Sequence, residues 1–289
     1  MFFASGSSGS AVSNCLFAGN VDCASWDAAA STRTGAIVLE LGAKAQTVDI
    51  FGSTFAYNLA DTSEGSAGIT VVAGTANVKN CVFTGNHIRR GAFNDAADMR
   101  VVAENGAINL SYSVLDGNLD AVRASCLGDF TEGAGVIAAD PLVVTRPESV
   151  TNLIAYTGAY YYYPGDTSTL AKIRGIDVHL LSRGGHVTNG AESVWLTSDS
   201  ISPAIDAADP FDDYSAEPMN NGGRRNAGVH GGTAEASKTY ESEIPLGFVG
   251  VQIDYPSGYS NPRITLTVTG DPGCMVTVTV QGEVGGEPF

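Results

Sequence analysis

Asn80-Cys81-Val82-Phe83-Thr84-Gly85-Asn86 is one of four related segments in this chain. The others are Asn14-Cys15-Leu16-Phe17-Ala18-Gly19-Asn20, Gly52-Ser53-Thr54-Phe55-Ala56-Tyr57-Asn58 and Tyr112-Ser113-Val114-Leu115-Asp116-Gly117-Asn118. Each carries Phe or Leu, two residues, then Asn. The closing asparagines stand 38, 28 and 32 residues apart. An irregular period of about 30 residues fits a stack of structural repeats whose connecting loops differ in length.

Outward from these segments, two further strand-like runs recur. The first is seen as Gly35-Ala36-Ile37-Val38-Leu39-Glu40-Leu41, Ala67-Gly68-Ile69-Thr70-Val71-Val72 and Met99-Arg100-Val101-Val102. A Gly-containing corner follows, then Val48-Asp49-Ile50-Phe51, Ala76-Asn77-Val78-Lys79 or Ala107-Ile108-Asn109-Leu110. Their alternation has period 2, so these are strands with one face inward. Short strands broken by corners bury little alone but bury a continuous core when stacked. The expectation is an all-β fold, a parallel β-helix over residues 1–140.

The Gly35-Ala36-Ile37 element with Phe55-Ala56-Tyr57-Asn58, echoed by Phe83-Thr84-Gly85-Asn86, resembles the repeat of the polymorphic outer membrane proteins. More broadly it resembles the right-handed parallel β-helix (solenoid) of bacterial surface proteins. That resemblance implies that Asn20, Asn58, Asn86 and Asn118 close structural corners and stack on one another, their amides satisfying backbone groups and their tolerance of left-handed geometry suiting the bend. The chain departs from the pattern at Leu115, where Phe is usual, and lacks the doubled Gly.

A second resemblance covers Asp177 to His186, Val194-Trp195, Ser202-Pro203-Ala204-Ile205-Asp206-Ala207-Ala208-Asp209-Pro210, Asp213 to Pro218 and Asn221-Gly222-Gly223-Arg224-Arg225-Asn226-Ala227-Gly228-Val229-His230-Gly231-Gly232-Thr233. It is similar to the closing segment of many secreted β-helix proteins, which implies a C-terminal capping region over 141–240 that covers the last repeat's open edge. Beyond it, residues 241–289 alternate as a β-rich tail. Ile264-Thr265-Leu266-Thr267-Val268 and Met275-Val276-Thr277-Val278-Thr279-Val280 flank a turn and predict a β-hairpin or partial β-sandwich, a truncated appended domain.

Composition narrows the function. Of 289 residues, 31 are acidic and 15 basic, a net charge of −16. Before residue 141 there are 14 acids and 7 bases, and after it 17 and 8, so no charged tail stands apart. This field repels phosphate backbones, and no nucleic-acid partner is expected. No apolar run reaches the length of a transmembrane helix. Low charge with abundant Ser, Thr, Asn and Gly suits a secreted or cell-surface β-protein. The start, Met1-Phe2-Phe3-Ala4-Ser5, lacks signal-peptide features, and a missing upstream part is expected. Five scattered cysteines make no disulfide framework, and Cys15 and Cys81 read as small core residues.

Candidate chemistry is sparse. His87, Arg89 and Arg90 with Asp95 and Asp98 form the one group of mixed charge on the repeats. They are the catalytic candidates if the chain acts on acidic polysaccharides, and a solvated loop otherwise. Asp206, Asp209, Asp212 and Asp213 offer hard oxygens to Ca²⁺ but lack an EF-hand pattern, and Asp turn-capping before Pro210 and near Pro203 accounts for them without a metal. His179 and His186, seven apart, have no third ligand nearby, so no metal role is expected of them. Tyr160, Tyr161, Tyr162 and Tyr163 offer ring faces that suit a glycan or a protein partner, or pack within the chain. No other cofactor is indicated. The expected function is a noncatalytic, adhesin-like scaffold on a bacterial surface or secreted from the cell, binding glycan or host protein. The alternative is a polysaccharide lyase or glycoside hydrolase.

Overall fold

The computed structural model describes residues 1–22, 35–60, 65–88, 97–117, 119–145, 175–190 and 194–240, and the backbone of four strands beyond residue 246. Arg89, Arg90, Asp95, Asn118 and Tyr160 to Tyr163 lie outside the described residues. Met1–Tyr240 form one compact unit and Glu241–Phe289 a second.

The first unit is all-β in character and its sheets are parallel. One repeat contributes β1 (Phe2–Ala4), β2 (Ser10–Ser13), β3 (Leu16–Ala18) and β4 (Val21–Asp22). The next contributes β5 (Ile37–Glu40), β6 (Thr47–Phe51), β7 (Thr54–Ala56) and β8 (Leu59–Ala60). A third gives β9 (Ile69–Lys79), β10 (Val82–Thr84) and β11 (His87–Ile88). A fourth gives β12 (Met99–Val101), β13 (Gly106–Ser111) and β14 (Val114–Leu115). After a short helix, α1 (Leu119–Ser125), come β15 (Asp129–Glu132) and β16 (Ile137–Ala138). Each strand pairs in parallel with its counterpart one repeat away, so that Phe17, Phe55, Phe83 and Leu115 share one register and Val12, Ile50, Val78 and Leu110 another.

In the third repeat the chain runs as one strand through Gly74, where the other repeats break. A Cβ at Gly74 would meet the Leu41 side chain at 2.7 Å, and its φ of 95° suits Gly alone, so the expected corner is replaced by close packing. The inward residues form one core: Ile37, Leu39, Val48, Ile50, Phe55, Ile69, Val71, Val78, Phe83, Met99, Ile108, Leu110 and Leu115 among them. Cys81 is buried there and Cys15 packs against it.

The sheet β3-β7-β10-β14-β16 is apolar on its outer face as well. Ala18, Ala56, Val82, Val114 and Ile137 meet Val143, Ile176, Val178, Leu180, Ala204 and Ala227. A parallel sheet with both faces apolar needs a second layer, and the described residues between Val143 and Val229 supply it. The described part of this segment lies along the side of successive repeats, because that is where Ala56, Val82 and Val114 point. α1 is not indicated by the sequence; its Val122 is buried in the core and its Leu119 packs against it.

In the second unit, β17 (Gly247–Asp254) pairs antiparallel with β18 (Arg263–Thr269), and β19 (Glu283–Val284) with β20 (Glu287–Pro288). The run Met275 to Val280 lies outside the described residues.

Candidate functional site

The repeat segment has two bends. The first residue of each segment is left-handed: φ is 48° at Asn14, 55° at Gly52, 57° at Asn80 and 46° at Tyr112. The second bend is left-handed at Gly19, Tyr57 and Gly85, with φ of 62°, 55° and 62°. In the first three segments the left-handed residue is thus the one before the closing Asn. That Asn serves instead as a hydrogen-bonding rung. Asn20 donates from its backbone N and its Nδ2 to Asn58 Oδ1 at 3.0 and 2.8 Å. Asn58 repeats both bonds to Asn86 Oδ1 at 3.1 and 2.9 Å and also donates Nδ2 to Phe17 O at 2.9 Å. Asn86 donates to Phe55 O and to Asp98 Oδ1, each at 2.9 Å.

The ladder therefore ends on a carboxylate. Asp98 is 2% exposed, and its Oδ2 is buried without a hydrogen-bond partner. Burial, then the charge of Asp116 on the same edge, push its pKa up to about 8. Asp116 accepts a hydrogen bond from Gly85 N, and Asp140 adds a third negative charge nearby. His87, a neighbour of Leu59 in β11, is half-buried, and burial lowers its pKa. Of the mixed-charge group read from the sequence, His87 and Asp98 are thus the described members.

Of the four aspartates proposed for Ca²⁺, Asp209 and Asp212 meet at a cation of the chain itself, and Asp206 and Asp213 bond elsewhere. Asp209 and Asp212 both pair with Lys79, at 2.8 and 3.1 Å. Asp212 also accepts from Asn80 Nδ2 at 2.6 Å. Asp206 accepts from Thr239 Oγ1 at 2.7 Å, and Asp213 caps Ser215. The pattern is docking and turn-capping: Lys79 and Asn80 belong to the third repeat, and their carboxylate partners to the flanking layer.

That layer has its own buried polar network. Glu217 Oε1 accepts from Asn226 N at 2.8 Å and Gly232 N at 2.7 Å. Burial still pushes its pKa up to about 7. Arg225 lies over the Phe51 ring, 4.7 Å from its centroid, and donates to Asn14 Oδ1 and Gly231 O. A Cβ on Gly52 would approach that guanidinium to 2.9 Å, which is why the second repeat has Gly where the first and third have Asn.

A second cluster was not foreseen. The extended run Asp177-Val178-His179-Leu180 sends Val178 and Leu180 to the sheet, leaving Asp177 and His179 for the other side. Asp177 Oδ1 lies 2.7 Å from His179 Nδ1 and accepts from His179 N at 3.0 Å, while Oδ2 accepts from Asn189 N at 2.7 Å. Burial opposes the Asp177 charge, but these bonds outweigh it and hold the carboxyl below its ordinary pKa. The His230 ring stacks on His179, centroids 3.7 Å apart, and Glu235 closes the group. His186, the residue paired with His179 in the sequence reading, is buried close by with Nδ1 unbonded, and burial lowers its pKa. His230 and Glu235 lie over fifty residues from His179, so spacing gave no signal. The Asp-x-His at 177–179 was the one local hint of an oriented imidazole.

No protein-family model, curated protein or solved structure matches this chain. The geometry of the repeats is then the main guide. Asp98 has a pKa suited to a general acid, but its Oδ1 is held by Asn86 and the side chain is buried, so a substrate atom has no approach to it without displacing the ladder. The repeat's polar groups hold repeats to each other.

Proposed function

We propose that residues 1–140 form a right-handed parallel β-helix serving as a noncatalytic scaffold in a secreted or cell-surface protein, with glycan or a surface protein as its partner. One observation carries this reading: in the first three repeats the Phe and Asn that define the repeat stack on or bond to their counterparts one repeat away. Phe17, Phe55 and Phe83 stack, the asparagines form a ladder, and Cys15 N and Cys81 N donate to Ser53 Oγ and Ser113 Oγ at 3.2 and 3.0 Å. Residues used this way build length and stiffness. Right-handedness follows from the strong chiral preference of parallel crossover connections. The similarity to polymorphic outer membrane protein repeats supports the compartment.

The lyase or hydrolase alternative rests on Asp98, a buried acid of the repeats whose pKa burial pushes up to about 8. The two readings separate on a panel of pectins, alginates and glycosaminoglycans. The scaffold gives no unsaturated product and no new reducing ends. A glycan array should show binding that falls when two of Tyr160 to Tyr163 become Ala. Turnover that disappears in Asp98→Asn or Arg89→Ala would overturn the scaffold.

A further inference from the structure

We propose that His179, His230 and Glu235 form a binding site for a divalent transition-metal cation of the zinc type, held within the layer that flanks the repeats. One ligand atom from each of the three lies within 4.8 Å of the others. Glu235 Oε2 is 3.6 Å from His179 Nε2 and 3.1 Å from His230 Nδ1. Tetrahedral zinc with bonds of about 2.0–2.1 Å sets neighbouring ligand atoms about 3.3 Å apart, and the two separations bracket that value.

The protonation pattern is also set for a metal. Asp177 Oδ1 faces His179 Nδ1, so Nδ1 carries the proton and Nε2 presents its lone pair toward the cluster. His179 is 1% exposed, and Nε2 is buried without a hydrogen-bond partner. A carboxylate behind an imidazole is the usual outer partner of a metal-bound histidine. On the opposite side, Thr233 fixes the turn that carries the other two ligands: its Oγ1 donates to His230 O at 2.6 Å and accepts from Glu235 N at 3.2 Å. The turn is tight because Gly231 has no Cβ, an atom that would lie 1.9 Å from Asn226 O.

Two imidazoles and one carboxylate suit zinc, cobalt or nickel better than calcium, which takes six to eight oxygens. Glu235 is 44% exposed on its side chain, which leaves an entry path and a fourth position for water. The stacked imidazoles, now 18° from parallel, must splay for both lone pairs to meet one ion. Bound there, the cation would staple the extended 177–180 segment to the 230–235 turn.

The test uses protein freed of metal with a chelator, then titrated with Co²⁺ and Zn²⁺ by visible absorption and calorimetry. One equivalent of Co²⁺ should give the intense visible bands of a four-coordinate site, and Zn²⁺ should bleach them and raise Tm. Glu235→Gln, on the exposed side, should abolish the bands while the metal-free protein keeps its Tm. Asp177→Asn, a positioning residue, should weaken binding by about 10–100-fold. Absence of a saturable Co²⁺ signal in the unaltered protein, or a signal unchanged in both Glu235→Gln and His230→Asn, overturns the site. Stabilisation by Ca²⁺ that equals that by Zn²⁺ and persists in Glu235→Gln does so as well.

Discussion

The rings of Phe55 and Phe83, in adjacent repeats, lie 4.8 Å apart with planes 5° from parallel. That separation equals the spacing of hydrogen-bonded strands, so the aromatic stack and the sheet share one period without strain. Phe55 has a ring on each side and is fully buried. Phe55→Ala should cost about 3–5 kcal/mol, measured by denaturant unfolding of the 1–240 unit. A loss below about 1 kcal/mol would show that the stack relaxes freely and contradict the shared register.

The asparagine ladder makes a graded prediction. Asn58 is buried and bonds to Asn20, Phe17 and Asn86, whereas Asn20 is exposed at the ladder's end. Asn58→Ala should cost about 1–3 kcal/mol, because its partners stay buried and unpaired. Asn20→Ala should cost clearly less. Equal melting temperatures for the two variants would remove the ladder from the account of stability.

The thiols give a chemical check. Burial pushes Cys81 up to about 12, so it should resist a thiol reagent until the protein unfolds. Cys15 and Cys81 are two strand spacings apart, about 10 Å, with Ser53 between them in register. Peptide mapping under oxidising conditions should therefore find no bridge joining them, since a disulfide spans Cα atoms at most about 7 Å apart.

Stability should fall with rising pH from about pH 4 to about pH 8, and above about pH 6.5 without opposition from His230. Asp98 keeps its proton in the folded protein up to about 8, and Glu217 up to about 7, while the unfolded chain releases both near 4. A raised folded value means that their contribution is complete below the unfolded value and is lost as pH climbs through the folded one. His230, lowered to about 4 by burial, acts oppositely, but only below about 6.5, where the unfolded chain takes up its proton. Asp98→Asn should flatten the decline in Tm across the upper window, with Asn86 and Asp116 as the groups facing it. A variant whose Tm tracks the original at every pH would assign the decline elsewhere.

The parallel β-stack was legible in the sequence because it is local and periodic. The Phe-x-x-Asn spacing and period-2 runs such as Val48 to Phe51 each encode one strand and one corner, and repetition supplies the pairing. The flank was harder. Its residues look like turn-formers, and Asp209 and Asp212 suggested a cation, whereas their partner is Lys79, some 130 positions away. Nothing in a linear pattern reveals that Ala56, Val82 and Val114 point outward beneath another layer. The His179, His230 and Glu235 group is hidden for the same reason, assembled by the fold from separate turns. α1 lacks the length for a helical period to register.

The first bends at Asn14, Gly52, Asn80 and Tyr112 all face the flanking layer. Arg225 reaches Asn14 and passes over Gly52, Asp209 N and Asp212 meet Asn80, and Arg224 lies over Tyr112. The layer thus acts as a measuring stick laid against the stack, with marks one repeat apart. Deleting a whole repeat among residues 10–115 would leave every remaining strand paired, yet shift each mark past its partner and strand charged groups against apolar ones. Homologous repeats that are interchangeable in the sheets are not interchangeable here: the flank fixes how many there are between Asn14 and Tyr112, and in which order.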